Sequence, residues 1–404
     1  MSDWLGESYD GDHEGKSAIV KRAGGEVKKR ELPRRRKGSN AAVEVPAADA
    51  NESDAVQSEP VKSMPAKAQR SGVSDLVEVM ERKSAPSSAS LLEMTEISPR
   101  IPAKEGWRGA VNRNSFGKIS LAASAEEISR LNDERDAGVQ LSRPVTVMVA
   151  NTKGGVGKTP TSANLAAILG KMRGGGVVAW DNNENQGTLG LRTEQGRFNT
   201  TTLDLLENLA EFEEGRGRLG DLGRYVRHQQ AGSFDVLASA EDSRKMTAIG
   251  SDEFHRIHNV LSTFYQVIVV DTGNALLAPN WAAAADVADV LVVPVRWSQD
   301  HVISAARMFE QLAASGREEL VSSAITVISH SRDEFVDAQN APRWRGWFEE
   351  STAGVFEIPY DAHIAAGSAM RFDLLQPGTQ RAYLAVAAEV SRALLRIDAT
   401  STSL

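Results

Sequence analysis

The stretch from Val145 to Met172 reads VTVMVANTKGGVGKTPTSANLAAILGKM and decides the fold class. It starts as an apolar run of strand length, passes through a glycine-rich turn that ends in Lys-Thr, and continues with the apolar periodicity of a helix. A strand, a glycine-rich loop, Lys-Thr and a helix in this order are typical of a phosphate-binding loop. We therefore predict a nucleotide site where this strand ends.

Each residue type in the loop has a chemical task. Gly154, Gly155 and Gly157 let the backbone curl so that successive N–H groups face an anion, and the next helix adds its positive dipole end. We expect Lys158 to contact the β- and γ-phosphates and the Thr159 hydroxyl to bind Mg²⁺. The predicted nucleotide-contacting residues of the loop are Gly154, Gly155, Val156, Gly157, Lys158, Thr159 and Pro160.

Apolar runs alternate with amphipathic segments from Arg143 onward. Val- and Ile-rich runs predict strands buried on both faces, and the alternation predicts right-handed crossovers. We expect an α/β fold over residues 143–397, with a doubly wound, mostly parallel sheet of seven to eight strands. The predicted strands are 145–150, 177–180, 234–237, 267–270, 290–295, 324–329 and 356–359. The predicted helices include 162–172, 202–212, 253–264, 301–314, 334–349 and 379–397.

The composition limits what else the chain can be. Its 404 residues include no cysteine, which excludes disulfides and thiolate zinc sites, and its net charge of −8 excludes a global basic field. No apolar run reaches the roughly 18–20 residues of a membrane-spanning helix, and the first residues lack a signal-peptide layout. We expect no integral membrane segment and a cytoplasmic location, with a nucleoid- or membrane-associated form as the alternative.

Residues 1–105 are predicted to be a disordered tail, because they are polar and contain few aromatic residues. The tail carries a basic run within 28–37 and an amphipathic stretch at 75–80. It is either a solvated tether or a docking segment for a protein, DNA or anionic lipid. Residues 398–404 are predicted to be a disordered C-terminus.

Residues 106–142 are predicted to be a bridging helical segment. Trp107, Val111 and Phe116 stand there among arginines and a lysine, and Ser124-Ala125-Glu126-Glu127 matches a capping box that opens a helix through about Asp136. The segment either packs on the domain that follows or forms a basic interaction surface.

The loop departs from the general pattern G-x-x-x-x-G-K-[ST], because Thr152 takes the place of the first glycine and Lys153 adds a second lysine. K-G-G-x-G-K-T resembles the signature of the deviant Walker A family, which includes the ParA and MinD ATPases. The resemblance implies that Lys153 reaches the nucleotide of a partner subunit in an ATP-dependent homodimer. It also implies catalytic roles for Lys153 and Lys158, and it covers about residues 143–397.

Three further motifs are similar to that family. Asp271-Thr272-Gly273-Asn274 resembles a Walker B aspartate and switch, which implies that Asp271 is a metal ligand. Asp181 matches the first aspartate of the Walker A′ region and is the third candidate catalytic residue, but Asn183 replaces the second aspartate. Because asparagine cannot accept a proton, we expect slow turnover, with Asp181 or Glu184 as substitutes. Ile358-Pro359-Tyr360-Asp361 resembles the segment that flanks the base, so the resemblance adds Pro359 and Lys153 to the predicted nucleotide-contacting residues.

Two functions stay open at this point. The first is an ATPase with ATP and Mg²⁺ as cofactors that partitions or positions DNA or another cargo with a ParB-like partner. The second is a weakly hydrolysing regulatory or adaptor ATPase of a secretion or conjugation apparatus, since family members with long N-termini include some linked to type VII secretion. Under the first reading the candidate phosphate contacts to DNA are Arg371, Arg381, Arg392 and Arg396.

Overall fold

The computed structural model describes residues 101–116, 118–183, 187–240, 249–332 and 336–402. Nearly all of the predicted tail, Glu184 and the predicted start of a helix at Glu334 lie outside the described residues.

Eight strands form one sheet. They are β1 Val145–Val149, β2 Val177–Asn182, β3 Arg227–Gln229, β4 Phe234–Leu237, β5 Val267–Thr272, β6 Val290–Val295, β7 Ile325–Ser329 and β8 Gly354–Ile358. Their order across the sheet is β3-β4-β2-β5-β1-β6-β7-β8, and only the β3–β4 pair is antiparallel. The predicted mostly parallel α/β sheet is therefore confirmed. The short strand β3 was not predicted, because three residues carry too little periodicity.

Thirteen α-helices are described. They are α1 Gly106–Asn114, α2 Ala125–Ala137, α3 Lys158–Arg173, α4 Thr202–Glu207, α5 Leu209–Glu213, α6 Leu219–Leu222, α7 Ser251–Phe264, α8 Pro279–Val287, α9 Gln299–Ala314, α10 Glu318–Ser322, α11 Ala341–Ser351, α12 Ala362–Ala365 and α13 Pro377–Thr402. The predicted single helix over 202–212 is two short helices, because the chain leaves helical geometry at Asn208. The helix predicted from Glu334 begins at Ala341, just before Pro342, a residue that suits the first turn of a helix.

Two apolar layers cover the two faces of the sheet. Met148, Trp180 and Val270 belong to one layer, together with residues of α7, α8 and α9. Val147 and Val269, neighbours in sequence of those strand residues, belong to the other layer with residues of α3 and α13. Successive strand side chains point to opposite faces. Burial on both faces explains why the strands are almost wholly apolar.

The segment before β1 packs on the last helix. Arg392 of α13 lies 2.7 Å from Asp133 and 2.9 Å from Asp136 of α2. Ser124 accepts from the Glu127 N–H at 3.1 Å, as a capping box requires. The Glu127 carboxylate, however, accepts from the Lys104 N–H at 2.8 Å, so only half of the predicted capping box forms.

The final helix continues to Thr402, so the prediction of a disordered C-terminus does not hold for 398–402. Asp398 accepts from the Ser142 hydroxyl at 2.7 Å and lies 3.6 Å from Arg143, and these contacts anchor the last turns. No helix in the described part of the chain is long and apolar enough to cross a membrane.

Candidate functional site

The glycine-rich loop between β1 and α3 is an open backbone curl. Gly155 and Gly157 have φ angles of +78° and +100°, a region that glycine reaches without steric penalty. A Cβ at Gly157 would lie only 3.0 Å from the hydroxyl of Ser329. Both the backbone conformation and this close approach therefore require glycine at that position. A curl of this kind presents backbone N–H groups to an anion.

Asn151 fixes the first half of the loop, and sequence reasoning missed it. Its buried side chain donates to the Pro294 carbonyl at 2.8 Å and accepts from the Lys153 N–H at 3.0 Å. Next to it, the hydroxyls of Thr152 and Ser304 are 2.6 Å apart. Strand β6 and helix α9 thus hold the loop in place. An amide residue directly after a buried strand was the available signal.

Lys158 points across the loop. Its ammonium donates to the Lys153 carbonyl at 3.2 Å and to the side-chain oxygen of Asn274. Asn274 follows β5 and belongs to the predicted switch. An ammonium beside an amide oxygen can exchange that acceptor for a phosphate oxygen, which forms a stronger, charge-assisted bond. Contact between Lys158 and the β- and γ-phosphates stays a prediction.

Two hydroxyls of α3 meet the buried carboxylate of Asp271. The Thr159 hydroxyl donates to one oxygen at 2.7 Å and the Ser162 hydroxyl to the other at 3.0 Å. Burial raises the pKa of Asp271, while these two hydrogen bonds and the charge of Lys158 oppose the rise. Ser162 was not predicted as a site residue.

The Thr159–Asp271 pair fits the oxygen chemistry of Mg²⁺. Magnesium usually takes one or two protein oxygens and completes its shell with waters and substrate phosphates. In the described ranges, no group of three or more His, Asp or Glu residues could hold a metal unaided. The residues therefore suit a magnesium ion that arrives with a nucleotide and not a dedicated protein cage.

A cavity of about 540 Å³ opens beside the loop. The carboxyl ends of β5, β6, β7 and β8 meet there, which is where open α/β sheets bind ligands. The predicted nucleotide-contacting residues that line it are Gly154, Gly155, Gly157, Lys158, Thr159, Pro160 and Pro359. Two predicted residues do not line it: Val156 is buried, and Lys153 points elsewhere.

Residues 147–319 match the family described as the CobQ/CobB/MinD/ParA nucleotide binding domain. This segment is a ParA/MinD-type nucleotide-binding domain. The described fold agrees with a ParA family ATPase from Chlorobium tepidum TLS at a TM-score of 0.50, with 16% identity over 61% of this chain and 98% of that chain. The cell division ATPase MinD of Pyrococcus furiosus has a TM-score of 0.49 and 18% identity over 61% of this chain and 98% of its own. At sequence identities this low, the comparison supports a shared fold and no shared function.

The chain is also similar in sequence to a mycobacterial protein that is associated with secretion. It is 27% identical over 293 residues to the ESX-1 secretion-associated protein EspI of Mycobacterium tuberculosis, in both the CDC 1551 and H37Rv strains. The match covers 72% of this chain and 43% of EspI, so the chain spans less than half the length of this relative.

In the ParA/MinD-type domain, Asp181 lies beneath the cavity and not at its wall. Strand β2 pairs with β5 so that Asp181 stands opposite Asp271. Its buried carboxylate accepts from the Leu189 N–H and the Ser239 hydroxyl, both at 3.1 Å. Burial raises the pKa of Asp181, and the charge of Asp271 adds to the rise. The structure brings Asn183, and not the predicted catalytic Asp181, to the cavity, because Asp181 is turned toward the chain that follows β2.

Lys153 of the ParA/MinD-type domain contacts its own chain. Its ammonium lies 3.0 Å from the carboxylate of Asp300 in the first turn of α9, and the two side chains are 46% and 60% exposed. Hydrogen bonds from Lys153 and then Ser298 lower the pKa of Asp300 to about 2. The contact of Lys153 with the nucleotide of a partner subunit, which the resemblance implies, stays a prediction.

The segments after β7 and β8 complete the cavity wall with Ser329, His330 and Tyr360. His330 lies 3.3 Å from the carboxylate of Glu357. Asp361 is buried and accepts N–H bonds from His363 at 2.9 Å and Gln376 at 2.8 Å. All four residues of the I-P-Y-D segment line the cavity, and Asp361 also holds this part of the wall in place through its two hydrogen bonds.

Two arginines in the cavity wall escaped sequence reasoning. Arg296 directly follows β6, and its Nε is buried without a hydrogen-bond partner among the described residues. Arg192 lines the same cavity and donates weakly to the Ile364 carbonyl at 3.4 Å. Guanidinium groups suit phosphate oxygens, so both add to the anion preference of the site. The position of Arg296 at a strand end was the available signal.

The four C-terminal arginines predicted as candidate DNA contacts are all held within the chain. The contacts are Arg371 with Asp373 at 2.7 Å, Arg381 with the Glu126 carbonyl at 2.8 Å, Arg392 with Asp133 at 2.7 Å and Arg396 with Glu389 at 2.8 Å. They do not form an unpaired cationic surface.

Proposed function

We propose that this chain is an ATP-binding switch that forms a homodimer when ATP and Mg²⁺ are bound. The observation that carries the proposal is a cavity of about 540 Å³ lined by Lys158 and Thr159, with the buried carboxylate of Asp271 bonded to the Thr159 hydroxyl behind its wall. The loop amides and the N-terminus of α3 would hold the phosphates, with Lys158 and Arg296 supplying positive charge. Thr159 and Asp271 would hold Mg²⁺, which neutralises phosphate charge when bound.

The residues of the chain also set the pace of hydrolysis. Asn183 occupies the cavity wall where the resemblance places an aspartate that orients water. An amide hydrogen-bonds to water but does not take its proton, so the proposed ATPase turns over slowly without a partner. Asp181 acts as a positioning residue, since it holds the backbone that follows β2.

The first experiment separates nucleotide binding from dimerisation. Wild type, Lys158→Ala and Lys153→Ala are compared by calorimetry with ATP and Mg²⁺ and by light scattering after size exclusion. We expect Lys158→Ala to lose binding, and Lys153→Ala to bind ATP but remain a monomer. Lys171→Ala, a lysine near the end of α3 outside the cavity, is the matched control. ATP binding that survives Lys158→Ala would refute the site, and a wild type that binds ATP as a monomer would refute the switch.

For the use of this switch, a role in secretion is the better supported candidate. The similarity to EspI extends over 293 residues, which is longer than the family match of residues 147–319. The internal pairing of the C-terminal arginines removes one basis for DNA positioning. Partition of DNA or another cargo is the second candidate, supported by the fold shared with a ParA family ATPase.

Two measurements distinguish these uses. DNA positioning requires ATP-dependent binding to a non-specific duplex, weakened by at least about tenfold between about 50 and 200 mM salt. A secretion role requires that loss of the chain, or of Lys158 alone, blocks export of type VII substrates while DNA segregation stays normal. If the chain binds DNA with a steep salt dependence, and export of type VII substrates stays normal when the chain is lost, DNA positioning becomes the better supported function.

A further inference from the structure

Residues 101–116 and 118–123 form a small lobe, here called the N-terminal lobe, that is closed around the side chain of Asn112. Pro102 and Ala122 form an antiparallel bridge, and Asn112 of α1 lies between the two bridged strands. The Asn112 side chain donates to the Ala103 and Leu121 carbonyls, both at 2.9 Å, and accepts from the Leu121 N–H at 2.7 Å. These bonds link α1 to both bridged segments and hold the lobe together.

The large apolar side chains of the N-terminal lobe face solvent instead. Trp107 is 69% exposed, Phe116 93% and Ile119 48%. Phe116 also has a φ angle of +50°, a conformation that bulky residues rarely adopt. Several large, exposed apolar side chains within one short segment are typical of a surface that binds something.

The same lobe carries unpaired positive charge. Lys104, Arg108, Arg113 and Lys118 have no carboxylate partner within the described ranges. Of the acidic residues nearby, Glu105 is paired with Arg130 at 3.0 Å, and Glu126 and Glu127 line a surface cavity together with Trp107 and Arg108. The Arg108 guanidinium lies 5.6 Å from the centre of the Trp107 ring, so a cation and an indole are presented together. This contrasts with Arg392 and Arg396 of α13, which pair with acids of the chain.

We propose that the N-terminal lobe docks on the surface of an anionic lipid bilayer. Tryptophan and phenylalanine insert at the boundary between headgroups and acyl chains, and nearby lysines and arginines bind anionic headgroups. A nucleic acid would match the positive charge, but it provides no apolar environment for the exposed Ile119. Proteins that bind nucleic acids through aromatic side chains normally stack the bases on those rings. The surface lies outside the nucleotide cavity, so the proposal is independent of the ATP switch.

The test is sedimentation of the full chain with vesicles of phosphatidylcholine alone or mixed with phosphatidylglycerol. We expect binding to the mixed vesicles, lowered by about tenfold or more in Trp107→Ala/Phe116→Ala, because two large apolar contacts are lost. Phe198→Ala/Leu219→Ala is the matched control, since these side chains are 53% and 55% exposed outside the lobe. The tail is present in every variant, so a selective loss assigns the contact to the lobe.

A second pair of variants tests the charge. Lys104→Gln/Lys118→Gln should remove most of the preference for phosphatidylglycerol without affecting folding, because neither ammonium has a partner among the described residues. Thermal melting and ATP binding are measured on each variant, so misfolding or failure of the ATP switch is distinguished from failure of docking. Equal vesicle binding by wild type and Trp107→Ala/Phe116→Ala, or binding to duplex DNA but not to mixed vesicles, would overturn the proposal.

Discussion

Asp300→Asn tests whether the contact between Lys153 and Asp300 competes with dimerisation. The substitution removes the charge but keeps an oxygen that the Ser298 hydroxyl, now 2.8 Å away, can donate to. Lys153 is then no longer held on its own chain and is available to a partner subunit. Under the proposed switch we expect Asp300→Asn to dimerise more readily than wild type in the presence of ATP.

The size of the effect follows from the exposure of the pair. Side chains that are 46% and 60% exposed form a screened ion pair, worth about 0.2–1 kcal/mol despite the 3.0 Å distance. Releasing one lysine therefore raises its free population by about 1.4- to 5-fold. A symmetric dimer uses two such lysines, so the association constant should rise by the square, about 2- to 30-fold.

The assay is sedimentation velocity across a concentration series, with a slowly hydrolysed ATP analogue and Mg²⁺. Asp286→Asn is the matched control. Asp286 is also about half exposed and forms an ion pair with a basic residue, Arg317, that is not part of the proposed dimer contact. The gain in Asp300→Asn should shrink in about 1 M salt, where charges more than about 3 Å apart are screened. An association constant that is unchanged or lower in Asp300→Asn, with unchanged ATP affinity and melting temperature, would refute competition between the two contacts.

Three further predictions test chemistry and packing. Asn183→Asp should hydrolyse ATP at least about tenfold faster than wild type, since it restores a proton acceptor at the cavity; phosphate release no faster than wild type would contradict this. Burial lowers the pKa of His258 to about 4. As pH falls below about 6.5, the histidine therefore becomes protonated in the unfolded chain but stays neutral in the folded chain, and this difference favours unfolding. Wild type should lose up to about 3 kcal/mol of unfolding free energy relative to His258→Asn between pH 7.5 and pH 4, measured with urea; parallel pH profiles would exclude this linkage. Gly170→Ala should lower the free energy of unfolding by about 1–3 kcal/mol, because the added Cβ would lie 2.4 Å from the Gly232 carbonyl oxygen. Gly346→Ala, where the added Cβ meets open space in a helix, should raise the free energy of unfolding by up to about 1 kcal/mol. Equal melting temperatures for the two variants would contradict this account of the packing.

The proposed switch and the proposed lipid contact lie on different parts of the chain. The cavity is built by strand ends and α3, whereas the lobe is closed by Asn112 and precedes β1. An ATP-dependent dimer would carry two lobes, and two weak contacts on one assembly bind a surface far more tightly than one. Nucleotide state would thereby control surface attachment without any contact between the two sites.

Most of the fold was predictable because its signals are local. The apolar runs that became β4 and β6 were placed to the residue, since a strand buried on both faces has a continuous apolar sequence. The ends of α11 and α13 were misplaced, because a helix end depends on caps and on contacts with distant segments such as Ser142 with Asp398. The antiparallel strand β3 carries no periodic signal and exists only through its pairing with β4.

The sequence by itself determined the phosphate-binding loop, the parallel α/β sheet and the meeting of Thr159 with an aspartate at a strand end. Those features follow from glycine spacing, apolar period and the rule that parallel strands end at one edge. Only the tertiary structure decided that Asp181 faces inward, that Lys153 contacts Asp300, and that Arg296 lines the cavity with an Nε that has no hydrogen-bond partner among the described residues. A side chain's direction and partners depend on segments distant in sequence, such as Ser239 for Asp181 and Asp300 for Lys153, and no local pattern encodes which of those segments will lie beside it.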